Sequence, residues 1–483
     1  MPPTDELKSI FEKWSGEKVK SFSPLPESGS SRKYYRISGE SKNVIAAFNP
    51  DLRENIAFVY LSKHFRKNNL SVPLIYSVDL KNNVYLLEDL GNQTLFSILE
   101  ESRSGNELTN EVIDLYKKVI EQLPLFQITT SKKLDYTKCY PRAKFDKQSM
   151  LWDLNYFKYY FLKLAKIPFD EQKLEDDFIA LTKFLLQARC NYFMYRDFNS
   201  RNVMIKNGEP FFIDYQGGRR GALQYDIASL MLDSKANIPQ NYREIFLESY
   251  LSSVSKIESI NKKDFLKYYD GYVLIRLLQM FGAYGYRGYF EGKAHFLKSI
   301  PYAINNLEHL LSKSKIKKTI KIKELNSALE NVIFSKELKK FEIKEQNQAK
   351  LTVHINSFSY KEKIPQDLTG NGGGFVFDCR AIPNPGRYDE YKSFNGTDKN
   401  VQDFLDSQPD AQSFLKETFN LVDKSVSNYI AHGWKNLMIN YGCTGGQHRS
   451  VYCALRLAEH LSAKYDIIVK LVHTKLGNNT VTE

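Results

Sequence analysis

Tyr195-Arg196-Asp197-Phe198-Asn199-Ser200-Arg201-Asn202, followed by Phe212-Ile213-Asp214-Tyr215-Gln216, decides how the first two-thirds of this chain are read. Phosphoryl transfer from ATP asks little covalent chemistry of a protein. It asks for a carboxylate aimed at the acceptor hydroxyl and for oxygen ligands that hold Mg²⁺ against the phosphates. An Asp and an Asn five positions apart on one tight loop supply both, and a second Asp at the end of the next strand completes the metal site. The roles that follow are Asp197 as base or hydroxyl orienter, Asn202 as metal ligand and Asp214 as principal metal ligand. Singly, each residue reads as a turn former or strand cap. Together, with strand-forming runs on both sides, they read as a site.

Working outward, residues 1–90 alternate strand-like runs such as YYRISG, NVIAAFN and VYLLEDLG with one helical segment, ENIAFVYLSKHFRKNN. That is a small β-rich lobe. Residues 91–312 turn mainly helical, and residues 313–350 form a Lys/Glu-rich segment read as a solvated helical linker. From 351 to 483 strands (FVFDCR, LMINYG, DIIVKLVH) alternate with helices, the order of a largely parallel α/β sheet. The expected architecture is therefore α/β and α+β multidomain: a bilobal kinase-like fold followed by a separate three-layer α/β domain.

With 483 residues the chain is too long for one ordinary core. The five cysteines (Cys139, Cys190, Cys379, Cys443 and Cys453) lack CxxC or metal-finger spacing, and no apolar run is long enough to span a bilayer. With no signal peptide at MPPTDELKSIFEKW, a reducing cytoplasm is expected and no membrane partner is. The net charge of +12 admits nucleic acid as a partner, but the lysines cluster at 313–350 without interleaved aromatics, which argues for solvated surface.

The first two-thirds resemble the aminoglycoside phosphotransferase/choline kinase family, whose loop reads His-Gly-Asp with an Asn five residues on; Tyr195-Arg196 stand here in place of His-Gly. The text around the loop looks most like the amino-sugar kinases that phosphorylate N-acetylmuramate and N-acetylglucosamine at the anomeric carbon. The segments that carry this are Ser31 to Arg36, Glu54 to Val59, Leu70 to Pro73, Leu87 to Gly91, Tyr225 to Leu230 and Gly282 to Tyr284. The resemblance implies ATP and Mg²⁺ as cofactors and Glu88-Asp89-Leu90 as the hinge that bonds adenine. It also implies Gly29-Ser30-Ser31 as the turn over the phosphates and Asp226 as a hydrogen-bonding support of the catalytic loop. One departure stands out: the strand VIAAFN lacks the lysine that most such kinases set against the α- and β-phosphates. Arg32, Lys33 and Arg36 are the candidate substitutes.

In the last domain Cys443-Thr444-Gly445-Gly446-Gln447-His448-Arg449-Ser450 follows a predicted strand and opens a predicted helix. Glycines admit close backbone approach, the helix start offers free N–H groups and Arg449 offers a bidentate fork, so an anion fits. Cys443-x5-Arg449 also matches the loop of cysteine-dependent phosphatases, with Asp378 and Asp398 as available acids. Residues 351–476, through Phe377 to Pro385, Asn395 to Val401 and Gly442 to Tyr452, resemble the C-terminal domain of the RNase adaptor family (RapZ). That implies a phosphosugar effector in the loop, with Arg380 and His473 as added ligands, and self-association through this domain. The Walker motif of that family's N-terminal half is absent. Gly386-Arg387 and the shortened tail at Gly477-Asn478-Asn479 argue against RNA as a partner.

The expected function is thus MgATP-dependent phosphorylation of an amino-sugar hydroxyl, beside a phosphosugar-sensing domain. The alternatives are a kinase of a choline- or aminoglycoside-like acceptor, a regulatory binding protein with a weak kinase lobe, and a Cys443-dependent phosphatase.

Overall fold

The computed structural model describes residues 3–26, 32–103, 107–314, 316–341, 350–367, 369 and 373–482. Gly29, Ser30 and Ser31 lie outside the described residues. The chain divides into two compact units: Met1–Tyr286 with Ser299–Lys339, and Arg287–Lys298 with Lys340–Glu483.

The first unit opens with a five-stranded antiparallel sheet. Its spatial order is Ser21–Pro24, Lys33–Ser38, Asn43–Phe48, Val84–Glu88 and Ile75–Asp79. The central strand reads as an unbroken apolar run because both of its faces are covered. Period-two alternation sends Ile45 and Ala47 to one face and Val44 and Ala46 to the other. The first pair packs with Phe58, Leu61 and Phe65 of the helix Leu52–Lys67; the second packs with Leu7, Ile10 and Phe11 of the helix Thr4–Ser15. The small lobe therefore has two helices where the sequence reading had one. Asp51 caps the helix Leu52–Lys67 by accepting from the Arg53 and Glu54 N–H groups, which fixes the position of Glu54.

The second lobe is helical, interrupted by two short strand pairs. Tyr192–Met194 pairs with Arg219–Gly221, and Val203–Lys206 pairs with Glu209–Phe212. These two pairs frame the loop 195–202. The segment read as a solvated linker is different in the structure. Within it the helix Lys323–Phe334 buries Leu325, Ala328, Leu329, Val332 and Ile333. It is tied to the helix Glu171–Leu185 by the Leu325 N–H bond to Asp177 (2.8 Å) and belongs to the first unit. The apolar three- and four-residue spacing outweighs the lysines, which occupy the open face. A second difference concerns Arg287–Lys298, which lies inside the span 91–312 but groups with the C-terminal unit.

That unit is a five-stranded sheet in the order Gly374–Asp378, Asn436–Cys443, Thr352–Ser359, Ile468–His473 and Asn478–Thr482, the last strand antiparallel to its neighbour and the others parallel. The helix Arg449–Lys464 packs on the three central strands, contributing Tyr452, Cys453, Leu457 and Leu461 to the core. No helix of the described residues is long and apolar enough to cross a membrane.

Candidate active site and phosphate loop

After the strand Tyr192–Met194 the backbone reverses at Arg196, whose φ of 84° is costly for a residue with a side chain. Two anchors hold it there. Asp226, fully buried on the helix Gln224–Met231, accepts the N–H groups of Tyr195 (2.8 Å) and Arg196 (2.9 Å) and the Gln127 amide (2.9 Å). The Arg196 guanidinium forms a two-pronged ion pair with Asp153 (2.8 and 2.6 Å) and lies over the Phe145 and Tyr225 rings. Burial pushes the Asp226 carboxyl up to about 6, although the three bonds oppose the shift. Beyond the reversal, the Asn199 side chain caps the short 3-10 turn Ser200–Asn202 through the Arg201 and Asn202 N–H groups.

Asp197, Asn202 and Asp214 come together at the end of this loop. The Asn202 amide donates to the Asp197 carbonyl (2.8 Å) and to Asp214 Oδ2 (3.3 Å), while among the described residues its Oδ1 accepts no hydrogen bond. The Asp197 and Asp214 side chains are 43% and 42% exposed, open carboxylates set among buried neighbours. Desolvation and the nearby Asp197 charge raise the Asp214 pKa, while Arg32 and the Gln216 amide (2.6 Å from Oδ1) pull it down. An Asn oxygen and an Asp carboxylate, short of positive charge, are hard oxygen donors suited to Mg²⁺ with phosphate and water completing the shell. The buried Gln216 Oε1, which has no hydrogen-bond partner, adds an unsatisfied acceptor beside them.

Of the three substitutes for the strand lysine, Arg32 alone reaches this centre. Its guanidinium, 3% exposed, pairs with Glu54 (2.9 Å), donates to the Tyr34 hydroxyl (3.1 Å) and stands 3.8 Å from Asp214 Oδ1. Lys33 is exposed, and Arg36 is held by Asp89 (2.6 and 3.0 Å). The hinge carboxylates have structural partners: Asp89 takes Arg36 and the Gly91 N–H, and Glu88 takes Lys206 (2.7 Å) and the Leu74 N–H. Leu90 is buried. The side chains of the expected hinge are thus engaged within the protein.

In the C-terminal unit the loop from Cys443 to Ser450 sits at the carboxyl end of the strand Asn436–Cys443 and leads into the helix Arg449–Lys464. Gly446 adopts φ 70° and donates its N–H to the Cys443 sulfur (3.2 Å), which also lies 3.1 Å from Ser450 Oγ. A Cβ at Gly446 would come within 3.1 Å of Ser359, so glycine is required twice over. Thr444, Gly445 and Gln447 are exposed around this turn. Arg380, beyond the strand Gly374–Asp378, and His473, ending the strand Ile468–His473, lie at the same carboxyl edge of the sheet, where parallel α/β sheets receive ligands. Four of the expected ligands are engaged within the protein. Arg449 turns Nη1 onto the carbonyls of Arg380 (3.1 Å) and Ile382 (3.2 Å) in place of a free fork. Arg380 is exposed, ion-paired with Asp378 and stacked on Tyr360. His448 bonds the Tyr391 carbonyl. His473 is buried, shares a hydrogen bond with Ser357 Oγ (2.9 Å) and has its pKa lowered by burial.

Sequence reasoning missed Asp153, Gln127, Arg219 and Arg276. All four lie outside any motif and reach the loop only through the fold.

Residues 21–260 match the family described as the phosphotransferase enzyme family, and residues 351–477 match the RapZ C-terminal domain. Among curated relatives, a nucleotide-binding protein of Agathobacter rectalis is 34% identical over 145 residues, 30% of this chain and 48% of that protein. One from Polynucleobacter asymbioticus is 40% identical over 119 residues, 24% of this chain and 38% of its own length. The chain thus spans less than half of either relative. Among solved structures, choline kinase LicA from Streptococcus pneumoniae aligns over 64% of this chain and 99% of its own at 15% identity and a TM-score of 0.42. The choline kinase of Cryptosporidium parvum aligns over 68% and 99% at 14% identity and a TM-score of 0.44. Residues 21–260 are a domain of the phosphotransferase enzyme family, and residues 351–477 are a RapZ C-terminal domain.

Proposed function

We propose that the N-terminal unit transfers the γ-phosphoryl group of ATP to a hydroxyl of an amino sugar, at the anomeric position. The carrying observation is the Asn202 amide, which ties the Asp197 backbone to the Asp214 carboxylate and leaves two carboxylates and an amide oxygen open. Asp197 orients the acceptor hydroxyl and takes its proton as the oxygen attacks phosphorus and the bond to the β-phosphate oxygen breaks, releasing ADP. Asn202 and Asp214 would hold Mg²⁺, which when bound neutralises phosphate charge. Arg32, anchored by Glu54, brings its guanidinium to the phosphate side of Asp214 and supports the role of the missing strand lysine. Asp226 and Asp153 keep the loop in its strained reversal. The amino-sugar acceptor rests on the resemblance of the surrounding segments.

The C-terminal unit is proposed to bind a phosphosugar at the turn from Cys443 to Ser450, as regulator or product. Exposed Thr444 and Gly445, and the glycine-dependent turn at the strand ends, support an anion site there. A phosphatase reading has less support. Arg449 spends Nη1 on two carbonyls, Asp378 is paired with Arg380, and Asp398 accepts the Asn395 N–H (2.7 Å), so neither acid is unengaged.

The test is ³¹P NMR of the full chain with MgATP and a panel of amino sugars. A new sugar-phosphate resonance that disappears in Asp197→Ala is expected. ATP consumption at background with every sugar, or transfer that survives Asp197→Ala, would sink the proposal.

A further inference from the structure

Away from the catalytic loop, three helices of the N-terminal unit, Gln240–Ser255, Lys262–Tyr284 and Ile300–Lys313, enclose a cavity of about 300 Å³. That volume is at the lower end of the range that holds a small ligand. Asp197, Asn202 and Asp214 do not line it. Arg243, from the first helix, is the group the fold leaves unmatched. Its Nε donates to the Ile238 carbonyl (2.6 Å), but among the described residues its two Nη groups make no hydrogen bond and the guanidinium forms no ion pair. Burial holds its pKa down at about 10, and the group that opposes the shift is the Tyr269 phenol, not a carboxylate. The Tyr269 hydroxyl and the His309 ring, from the other two helices, likewise have no hydrogen-bond partner among the described residues. Lys313, one turn beyond His309 on the same helix face, is exposed and unpaired.

Two acids share the wall, and neither answers Arg243. Asp270 accepts the Ser314 hydroxyl (2.5 Å) and acts on Tyr269, while Glu244 is exposed and acts on His309. With His309 neutral the formal charges balance, two of each sign. What is missing is an acceptor within reach of the Arg243 fork. A guanidinium with two unused Nη groups is costly to bury, and its geometry suits two oxygens of one anion. Burial, then Arg243 and Lys313, lower the His309 pKa, and Glu244 raises it. An anion set among these groups would reverse that balance and draw a proton onto the ring.

We infer that this cavity is a second ligand site of the N-terminal unit, taking a small phosphorylated metabolite. The phosphate is received by the Arg243 guanidinium, the Tyr269 hydroxyl and the His309 ring, and the body of the molecule lies against Leu247, Val273 and Leu310. Donors converging from three helices suit an oxyanion with three terminal oxygens better than a planar carboxylate. The site is distinct from the transfer centre and does not depend on which acceptor that centre takes.

The experiment is histidine-ring NMR on the full chain with ¹³C-labelled histidine. Of the eight histidines, His309 is assigned by the signal missing in His309→Gln. The probes are sulfate, a dianion throughout the titration, and phenyl phosphate, which adds an apolar body, each against chloride at equal ionic strength. In chloride His309 should titrate below the ordinary 6.5. Saturating sulfate should raise the proton affinity of His309 about tenfold, so by linkage sulfate binds more tightly as pH falls. Phenyl phosphate should saturate the same signal at a lower concentration. In Arg243→Gln the ligand-free His309 should titrate closer to 6.5 and sulfate should no longer shift it, the remaining histidine signals reporting that the variant is folded. Lys313→Gln, on exposed surface, should weaken sulfate about threefold. A His309 signal that sulfate leaves in place, as it would if sulfate bound only at the catalytic centre or the Cys443–Ser450 turn, overturns the inference. So does a sulfate shift that persists in Arg243→Gln or, where that variant does not fold, an unchanged sulfate midpoint in Lys313→Gln. Phenyl phosphate binding no more tightly than sulfate overturns the assignment of the metabolite's body to the apolar wall.

Discussion

Replacing Asp226 by Asn separates the two jobs this buried carboxylate does, holding the loop and bearing a charge. Its pKa in the fold is about 6 against an ordinary 3.8, chiefly because burial penalises the ionised form. A raised pKa means the folded protein prefers the protonated acid. The associated stability is fully present below 3.8 and is lost as pH rises through about 6. From pH 5 to 7.5 linkage makes that loss about 1.4 kcal/mol, and from fully protonated to fully ionised about 3 kcal/mol. Asn carries no such dependence. Its cost is different: it offers one acceptor oxygen and turns an NH₂ donor toward a point where the Tyr195, Arg196 and Gln127 donors converge. A lost charge-assisted bond costs about 1.5–3 kcal/mol, so near neutral pH the two effects come close to cancelling in stability. They do not cancel in the loop. With the Tyr195 and Arg196 N–H groups no longer both accepted, Arg196 should leave its φ of 84° and carry Asp197 with it, and a displacement on the scale of 1 Å costs about 100-fold in turnover. The assay pairs denaturation of wild type and Asp226→Asn at pH 5 and 7.5 with hydrogen exchange of the Tyr195 and Arg196 amides. Wild type should lose about 1.4 kcal/mol more than the variant across that interval. Parallel pH profiles, or a variant with unchanged amide protection and full activity, would refute the reasoning.

Glu54→Gln removes the counter-charge that holds Arg32 over Phe58 and should lower kcat/KM for ATP by about tenfold, with Arg32→Ala lower still; equal kinetics in both would remove Arg32 from the phosphate side. Asn202→Ala cuts the bridge between Asp197 and Asp214 and should raise the Mg²⁺ concentration for half-maximal rate, read by titration at fixed ATP; an unshifted midpoint counts against the metal assignment. Cys443→Ser preserves the size of the group that accepts the Gly446 N–H, so phosphosugar affinity by calorimetry should stay within about threefold, the wild-type chain showing no phosphatase activity to lose. Hydrolysis of p-nitrophenyl phosphate that vanishes in this variant would restore the phosphatase reading.

The meeting of Asp197, Asn202 and Asp214 was legible because its parts are local. Asp197 and Asn202 share one loop, and the strand pair that returns to Asp214 is a short hairpin, so spacing alone brings them together. What holds them is not local: Asp153 and Asp226 are 43 and 30 residues from Arg196, and of the two only Asp226 was signalled, through the resemblance carried by Tyr225 to Leu230. The lysine substitute shows how far pattern reaches. Alternation puts Tyr34 with the core around Phe58 and Tyr35 with the core under the N-terminal helix, which sets Lys33 apart from Arg32 and Arg36. Parity cannot divide the last two. Asp89 does, by capturing Arg36, and it lies 53 residues away. In 313–350 the failure was one of weighting, since the abundance of lysine hid the apolar spacing of Leu325, Leu329 and Val332. The C-terminal loop was legible as a turn, but the carbonyls that occupy Arg449 come from residues 67 and 69 positions away.

The charges divide the site in a way that follows from these long-range pairs. On one side, Arg32 faces both Glu54 and Asp214, so this half is one negative charge in excess, a deficit that a divalent cation between protein and phosphates would meet. On the other, Arg196, Arg219 and Arg276 face Asp153, Asp197 and the buried Asp226, three charges of each sign. Asn202 is neutral and joins the two. A lysine on the central strand would have supplied the same charge as Arg32. It could not have matched the planar fork that meets Glu54, the Tyr34 hydroxyl and the Phe58 face together. With Ala46 and Ala47 small and buried, the arginine enters from the neighbouring strand and is fixed before any nucleotide arrives.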